Sequence, residues 1–350
     1  MPWQSTAFDD HEHISAFSDP ATDLRAIVAV HSTALGPAVG GTRFWPYATD
    51  ELALDDALRL SRAMSFKCAL AGVPFGGGKA VIIGDPARHK TTALLHAFGR
   101  FLNRIGASFS TGEDVGLSVA DCETVRQVSP YVAGTDSAGA GDPSVHTARG
   151  VMHGLRAVLE ARLERDDFTG VHVAVQGLGN VGWKLCELLH ATGARLTVAD
   201  LQADRVARAA ASFGAAGVDV AAIHAVAADI FAPCALGGVI DRATVDELRV
   251  KAVAGAANNP LASSEVDDAL SARGILFAPD FVINSGGILG AVEEIARVPG
   301  RRLPGLAPLD LRLARIGDRL REVFARARAD RTTPTATATR MAREVMRAGR

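Results

Sequence analysis

One segment constrains this chain more than any other. Residues 171–177, VHVAVQG, form a near-continuous apolar run, and Gly177-Leu178-Gly179-Asn180-Val181-Gly182 closes it. Such a run fits a strand covered on both faces. The spacing G-x-G-x-x-G then opens a helix expected from Asn180 to His190. A second strand, ARLTVAD, ends at Asp200, 23 residues after Gly177. In a chain with 35 glycines the spacing alone is weak evidence. The strand before it, the helix after it and the acidic residue beyond make it specific. Gly177 permits the tight turn, Gly179 lets backbone approach a pyrophosphate, and Gly182 lets helix and strand pack closely. Asn180 and Val181 begin the helix, whose free N–H groups and dipole favour phosphate. Asp200 accepts hydrogen bonds from ribose hydroxyls and repels a 2′-phosphate, so the expected cofactor is NAD rather than NADP. A tight strand-turn-helix without a ligand is the plainer alternative.

Alternation continues downstream. A helix near 203–213, a strand over 229–236, a helix over 243–249 and strands over 250–256 and 274–280 follow in order. That pattern argues for a doubly wound parallel sheet. Upstream, Leu24–His31 reads as a strand, 50–66 as a helix with Leu54, Leu58 and Met64 on one side, and 91–105 as another helix. Gly76-Gly77-Gly78-Lys79 reads as a glycine-rich turn running into the strand AVIIGDP. The polar stretch 134–144 reads as a domain boundary, followed by a helix from Thr147 to Arg165; after Pro308 the chain is helical and charged. The expectation is an α/β protein of two domains with a cleft between them. Residues 1–134 form a substrate-binding and oligomerisation domain, rejoined by the C-terminal helices at about 315–350, and residues 135–314 form a Rossmann-type dinucleotide-binding domain.

Composition narrows the classes. A formal net charge of −2 gives no electrostatic case for nucleic acid or an anionic membrane. No uncharged run is long enough for a transmembrane helix, and the acidic N-terminus lacks the apolar core of a signal peptide. A cytoplasmic protein is expected. The four cysteines form no C-x-x-C pair and read as buried free thiols. His11-Glu12-His13 reads as a solvated polar stretch, and no metal is expected.

The first domain carries the candidate chemistry. Lys67 and Lys79 flank AGVPFGGG, a segment in which a charge is costly without a partner or a task. Each alone also reads as an ordinary solvated lysine. A partly desolvated lysine near another cation loses its proton more readily and can serve as a base. Asp114 lies in Gly112-Glu113-Asp114-Val115-Gly116, an acidic loop between the strand-like ASFST and a helix. By itself it serves equally as a helix cap or turn carboxylate.

These segments resemble the glutamate/leucine/phenylalanine/valine dehydrogenase family, over nearly the whole chain. The blocks that carry the resemblance are Leu35 to Arg43 (LGPAVGGTR), Pro74 to Lys79 (PFGGGK), Gly112 to Gly116 (GEDVG), the glycine fingerprint, Phe231 to Gly238 (FAPCALGG), Ala254 to Asn259 (AGAANN) and Ala278 to Gly287 (APDFVINSGG). The resemblance implies reversible NAD-dependent oxidative deamination of an L-amino acid to its 2-oxo acid and ammonium, by a homo-oligomer. It implies that Lys67 binds the substrate α-carboxylate, that Lys79 is the general base, and that Asp114 carries protons to and from the substrate nitrogen. Asn258 then orients nicotinamide and substrate. Thr147, in the turn before the linking helix, bonds the carboxamide, and Gly40 and Gly41 lie against the substrate.

The resemblance also bears on the substrate. Glutamate-acting relatives carry lysine where this chain has Val39, and serine where it has Ala291. An unpaired buried carboxylate is costly, so glutamate is disfavoured. Val39, Gly112, Ile288 and Ala291 are expected to wall an apolar pocket for leucine, valine or isoleucine, with phenylalanine as the alternative. A 2-hydroxy-acid dehydrogenase would want a histidine–carboxylate pair and leaves both lysines unexplained. A non-catalytic NAD-binding regulator would be marked by loss of Lys79 or Asp114, and both are present.

Overall fold

The computed structural model describes residues 2–134, 142–235, 237–296, 298 and 305–349. The expected boundary near 134–144 falls mostly on 135–141, outside the described residues, as does Leu236. The chain forms two compact units. The first comprises residues 1–141, 290–306 and 342–350; the second comprises 142–289 and 307–341.

The first unit holds β1 (His13–Asp19), β2 (Leu24–Ser32), β3 (Ala38–Val39), β4 (Thr42–Trp45), α1 (Asp50–Ala71), β5 (Gly76–Ile83), α2 (Pro86–His89), α3 (Thr92–Ile105), β6 (Phe109–Ser110) and α4 (Val119–Arg126). Its mixed sheet runs β1-β2-β5-β3-β6, with β4 also paired to β5. Period-two alternation sorts the side chains. Ile27, Ala29 and Val81 face Ala53, Ala57 and Leu58 of α1. Val28, Val30, Ala80 and Ile82 face the opposite layer, with Leu94, Phe98 and Leu102 of α3. Helix α1 starts at a Thr49 cap that accepts from Leu52 N, and stops at Gly72 in the left-handed region.

Gly76, Gly77 and Gly78 lie inside β5, not in a turn. The reason is crowding. A Cβ on Gly77 would sit 2.0 Å from Ser65 N of α1, and one on Gly78 2.5 Å from the Phe109 ring. Bare backbone lets α1 and the sheet close up. His11 also departs from expectation. It is buried, with Nε2 3.0 Å from both Leu58 O and Ser61 Oγ, whereas His13 is exposed.

The second unit contains α5 (Pro143–Val158), β7 (His172–Gln176), α6 (Asn180–Ala191), β8 (Arg195–Ala199), α7 (Ala203–Phe213), β9 (Ala216–Gly217), β10 (Ile230–Pro233), α8 (Arg242–Glu247), β11 (Ala252–Val253), α9 (Ser264–Ala272), β12 (Leu276–Phe277) and α10 (Asp280–Ile283). Helix α11 (Gly286–Ala296) begins in it, α12 (Leu309–Asp330) lies in it, and α13 (Pro334–Ala348) runs out of it. Its sheet, β12-β11-β10-β7-β8-β9, is parallel throughout. Chain order is thus 3-2-1-4-5-6, the doubly wound arrangement whose ligand crevice opens at the carboxyl end of the central strands.

The C-terminal helices differ from expectation. Residues 307–341 group with the second unit, and only those from 342 onward join the first. Small residues explain the docking: a Cβ on Gly150 of α5 would meet Ile316 at 2.7 Å, and one on Gly154 would meet Leu320 at 2.9 Å. Residues 290–306 belong to the first unit, where buried Glu294 accepts from Gly134 N at 2.7 Å.

Candidate active site

In the first unit the candidate residues converge on the α1 face of β5. Strands β3 and β4 run in succession along one edge of β5, with Val39 opposite Gly77 and Thr42 opposite Ala80. Gly40 and Gly41 therefore form the break between them, level with Gly78 and Lys79. The fit is tight. A Cβ on Gly40 would fall 1.8 Å from Gly78 O, and one on Gly41 2.5 Å from Glu113 O. The acidic loop is pinned on both sides of its carboxylates: Thr42 N donates to Gly112 O at 2.9 Å, and Phe44 N to Val115 O at 2.8 Å. Asp114 is thereby held in contact with the Lys79 amine, as a hydrogen-bonded ion pair.

Lys79 is 7% exposed. Burial, then the positive charge of Arg43, lowers its pKa to about 7, with Lys67 and Arg59 adding and Asp56 opposing. Lys67 is half-buried on α1, and its charge is felt at Lys79. The structure thus brings Lys67, Lys79, Asp114, Gly40 and Gly41 together. Val39 is buried in β3 beside them, paired with Ser110 of β6. Gly112 carries a constraint the sequence does not reveal: a Cβ there would lie 2.9 Å from Ala133 O.

An ion-pair network backs this group. Asp56 of α1 accepts from Arg43 Nη1 at 2.8 Å, from Tyr47 OH at 2.6 Å and from Arg59 Nη2 at 2.6 Å. Burial alone would raise the Asp56 carboxyl, but Tyr47, Arg43 and Arg59 together hold it below its ordinary value. Sequence reasoning assigned none of these residues a role, although Arg43 ends one of the family-like blocks.

In the second unit Gly177 follows β7 with φ +96, which favours glycine. A Cβ on Gly182 would strike Gly177 O at 1.9 Å, so α6 packs directly on the strand end. A Cβ on Gly179 meets nothing within 4 Å, leaving the backbone open to a ligand. Gly179 caps α6 with no side-chain hydrogen bond, so the N–H groups from Asn180 and Val181 onward receive no side-chain cap. These features fit a pyrophosphate. Asp200 does more than face outward: it accepts from Leu178 N at 2.7 Å and Gln202 N at 2.9 Å, with Arg205 3.6 Å away.

Asn258 Oδ1 accepts from Asn284 Nδ2 at 2.8 Å, and Asn259 N donates to Asp280 at 2.8 Å, which fixes the loop. Asn284 is a buried supporting residue that sequence reasoning left without a role, though it sits in a family-like block. Thr147 is not in a turn before the linking helix. It lies in the second turn of α5, which starts at Pro143 under an Asp142 cap, and its hydroxyl donates to Pro143 O at 3.0 Å. Ile288 and Ala291 stand one turn apart on α11, both half-buried. Among the described residues, no group of His, Cys, Asp and Glu is placed to hold a metal. None of their helices is long and apolar enough to cross a membrane.

Residues 11–136 match the Glu/Leu/Phe/Val dehydrogenase dimerisation domain, and residues 139–203 and 197–298 match the glutamate/leucine/phenylalanine/valine dehydrogenase domain. The chain is 43% identical to leucine dehydrogenase of Geobacillus stearothermophilus over 337 residues, 96% of this chain and 90% of that one. It is 43% identical to phenylalanine dehydrogenase of Bacillus thermotolerans, across 97% of this chain and 89% of that one. The crystal structure of L-tryptophan dehydrogenase from Nostoc punctiforme superposes with a TM-score of 0.83 at 38% identity, covering 97% of each chain. The chain belongs to the glutamate/leucine/phenylalanine/valine dehydrogenase family. It is an amino acid dehydrogenase, an oxidoreductase acting on CH–NH2 donors.

Proposed function

We propose that the enzyme oxidatively deaminates branched aliphatic L-amino acids to 2-oxo acids and ammonium with NAD, and catalyses the reverse amination. The observation that carries this reading is the buried Lys79 amine, lowered to about pKa 7 and in contact with Asp114 beside Gly40-Gly41. An amine of that kind is poised to act as a base near neutral pH. Lys67 holds the substrate α-carboxylate. Lys79 takes a proton from the water that attacks the substrate imine carbon, and Asp114 delivers a proton to the departing amine. Gly177, Gly179, Asn180, Val181 and Gly182 cradle the pyrophosphate of NAD, Asp200 takes the ribose, and Thr147 and Asn258 orient the nicotinamide end. Bound NAD supplies the hydride acceptor.

Substrate choice rests on side-chain chemistry. Val39 and Ala291 offer no charge to a distal carboxylate, and the related leucine, phenylalanine and tryptophan dehydrogenases are named for apolar side chains. Phenylalanine is the second reading, supported by the similarity to a phenylalanine dehydrogenase. The match to a dimerisation domain supports a homo-oligomer. Buried Cys68, Cys122 and Cys186, all free thiols, fit a reducing cytoplasm.

The test is an initial-rate panel of L-amino acids with NAD and NADP, and of NADH oxidation by 4-methyl-2-oxopentanoate with and without ammonium. Leucine, valine and isoleucine should lead, with NAD well ahead of NADP and L-glutamate near background. NADH oxidation that needs no ammonium would instead mark a 2-hydroxy-acid dehydrogenase.

A further inference from the structure

We propose that Arg43 is a positioning residue for the reaction: anchored by Asp56, it places a fixed cation against the Lys79–Asp114 pair and sets the pH range over which Lys79 works. The inference rests on the proposed role of Lys79 as base.

The placement follows from strand register. Strand β4 is parallel to β5 with Arg43 opposite Val81, two residues along from Lys79 and on the same strand edge. The guanidinium spans two carboxylates. Nη1 lies 2.8 Å from Asp56 Oδ2, and Nε lies 3.8 Å from Asp114 Oδ2. That Nε is buried and has no hydrogen-bond partner among the described residues. Asp56 is shared among Arg43, Tyr47 and Arg59, and its remaining charge opposes Arg43 at Lys79. The charged groups facing Lys79 are Arg43 from β4, Asp56, Arg59 and Lys67 from α1, and Asp114 from the acidic loop. Cations outnumber carboxylates there before the amine itself is counted. Among those charges Arg43 does most to ease deprotonation of Lys79, after burial itself. A lysine at position 43 keeps the charge but cannot bridge both carboxylates with a planar fork.

The measurement is the pH profile of kcat/KM for L-leucine with NAD, whose acid limb reports the free enzyme's base. In Arg43→Gln the limb should move upward by about one pH unit or more, while the Kd for NAD stays unchanged. Arg43→Lys should return the limb most of the way towards wild type. Asp56→Asn removes the opposing charge and should move the limb the other way, to lower pH. If Arg43→Gln does not fold, Arg43→Met, neutral and of similar length, decides the matter by the same upward movement of the limb. A limb that stays put in the folded variants, with only the plateau reduced, reduces Arg43 to a structural residue and overturns the proposal. Lys79→Ala separates this from failure of the underlying reading: if it keeps the wild-type plateau and limb, Lys79 is not the base at all.

Discussion

The glycines of β5 and those of the β7–α6 loop look alike in sequence and act in opposite ways. In β5 they are crowded by protein, with Ser65 of α1 and the Phe109 ring standing where a Cβ would go. Their absent side chains bring the molecule close to itself, so that α1, which carries Lys67, packs on the strand that carries Lys79. In the second unit the roles divide within one motif. Gly182 is crowded by Gly177 O, whereas Gly179 faces open space. Only Gly179 keeps its backbone bare for something other than protein. A glycine therefore signals close approach, and the nature of what approaches has to come from three dimensions.

The roles of these two sets of glycines, and of the residues they seat, make different predictions. Lys79→Ala should lower kcat by about 10²–10⁴-fold while leaving the NAD Kd of the second unit unchanged in calorimetry. Equal loss of both would mean the two functions are not separable. Gly77→Ala should cost about 1–3 kcal/mol, read in thermal or urea unfolding, because Ser65 backbone cannot yield cheaply. Gly179→Ala should leave stability within about 0.5 kcal/mol but weaken NAD binding at least about tenfold. A stable Gly77→Ala, or a Gly179→Ala that melts early, reverses the assignment of crowded and open glycines.

A methyl at Gly112 points at Ala133 O, so Gly112→Ala should slow all substrates through the loop instead of selecting among them. Ile288→Ala should be the cleaner probe, raising the phenylalanine-to-valine ratio of kcat/KM within the roughly 10–200-fold that methylene-sized changes allow. An unmoved ratio would place the pocket elsewhere.

The smallest effect concerns a buried base for which the mechanism has no use. Burial, then the neighbouring His11, lowers His31 to about 4; Asp9 opposes this, and Arg62 and Arg343 add to it. The native state thus favours neutral imidazole. The stability this contributes is complete above the unfolded value near 6.5 and is lost as pH falls towards 4. Melting temperature should drop by a few degrees between pH 7 and pH 5, and less so in His31→Gln.

Much of the second unit is legible in the chain because one interaction dominates each element. The apolar run before Gly177, the helix over 203–213 and the turn to Asp200 each answer to burial or to a single backbone need. The first unit is harder. Strand β1 is half-exposed at a sheet edge, with alternation too shallow to mark it as a strand in the sequence. The glycines of β5 carry no propensity for a strand, so only packing reveals them as one. Lys79 and Asp114 were identifiable by residue type, but their contact depends on two backbone bonds from β4 to the acidic loop. Arg43 and Asp56 lie thirteen residues apart on different elements, so no local pattern links them.

The threading of the first unit has a consequence for synthesis. It is assembled from the start of the chain, a segment after 289 and the residues from 342 onward. Arg343, from the last of these, bonds Asp9 at 2.6 Å and lies over the Phe66 ring. At about 5–20 residues per second, the ribosome exposes the opening strands many seconds before their final partners exist. The second unit also needs residues as late as 341, so neither unit has all of its parts until the C-terminal helices have been made.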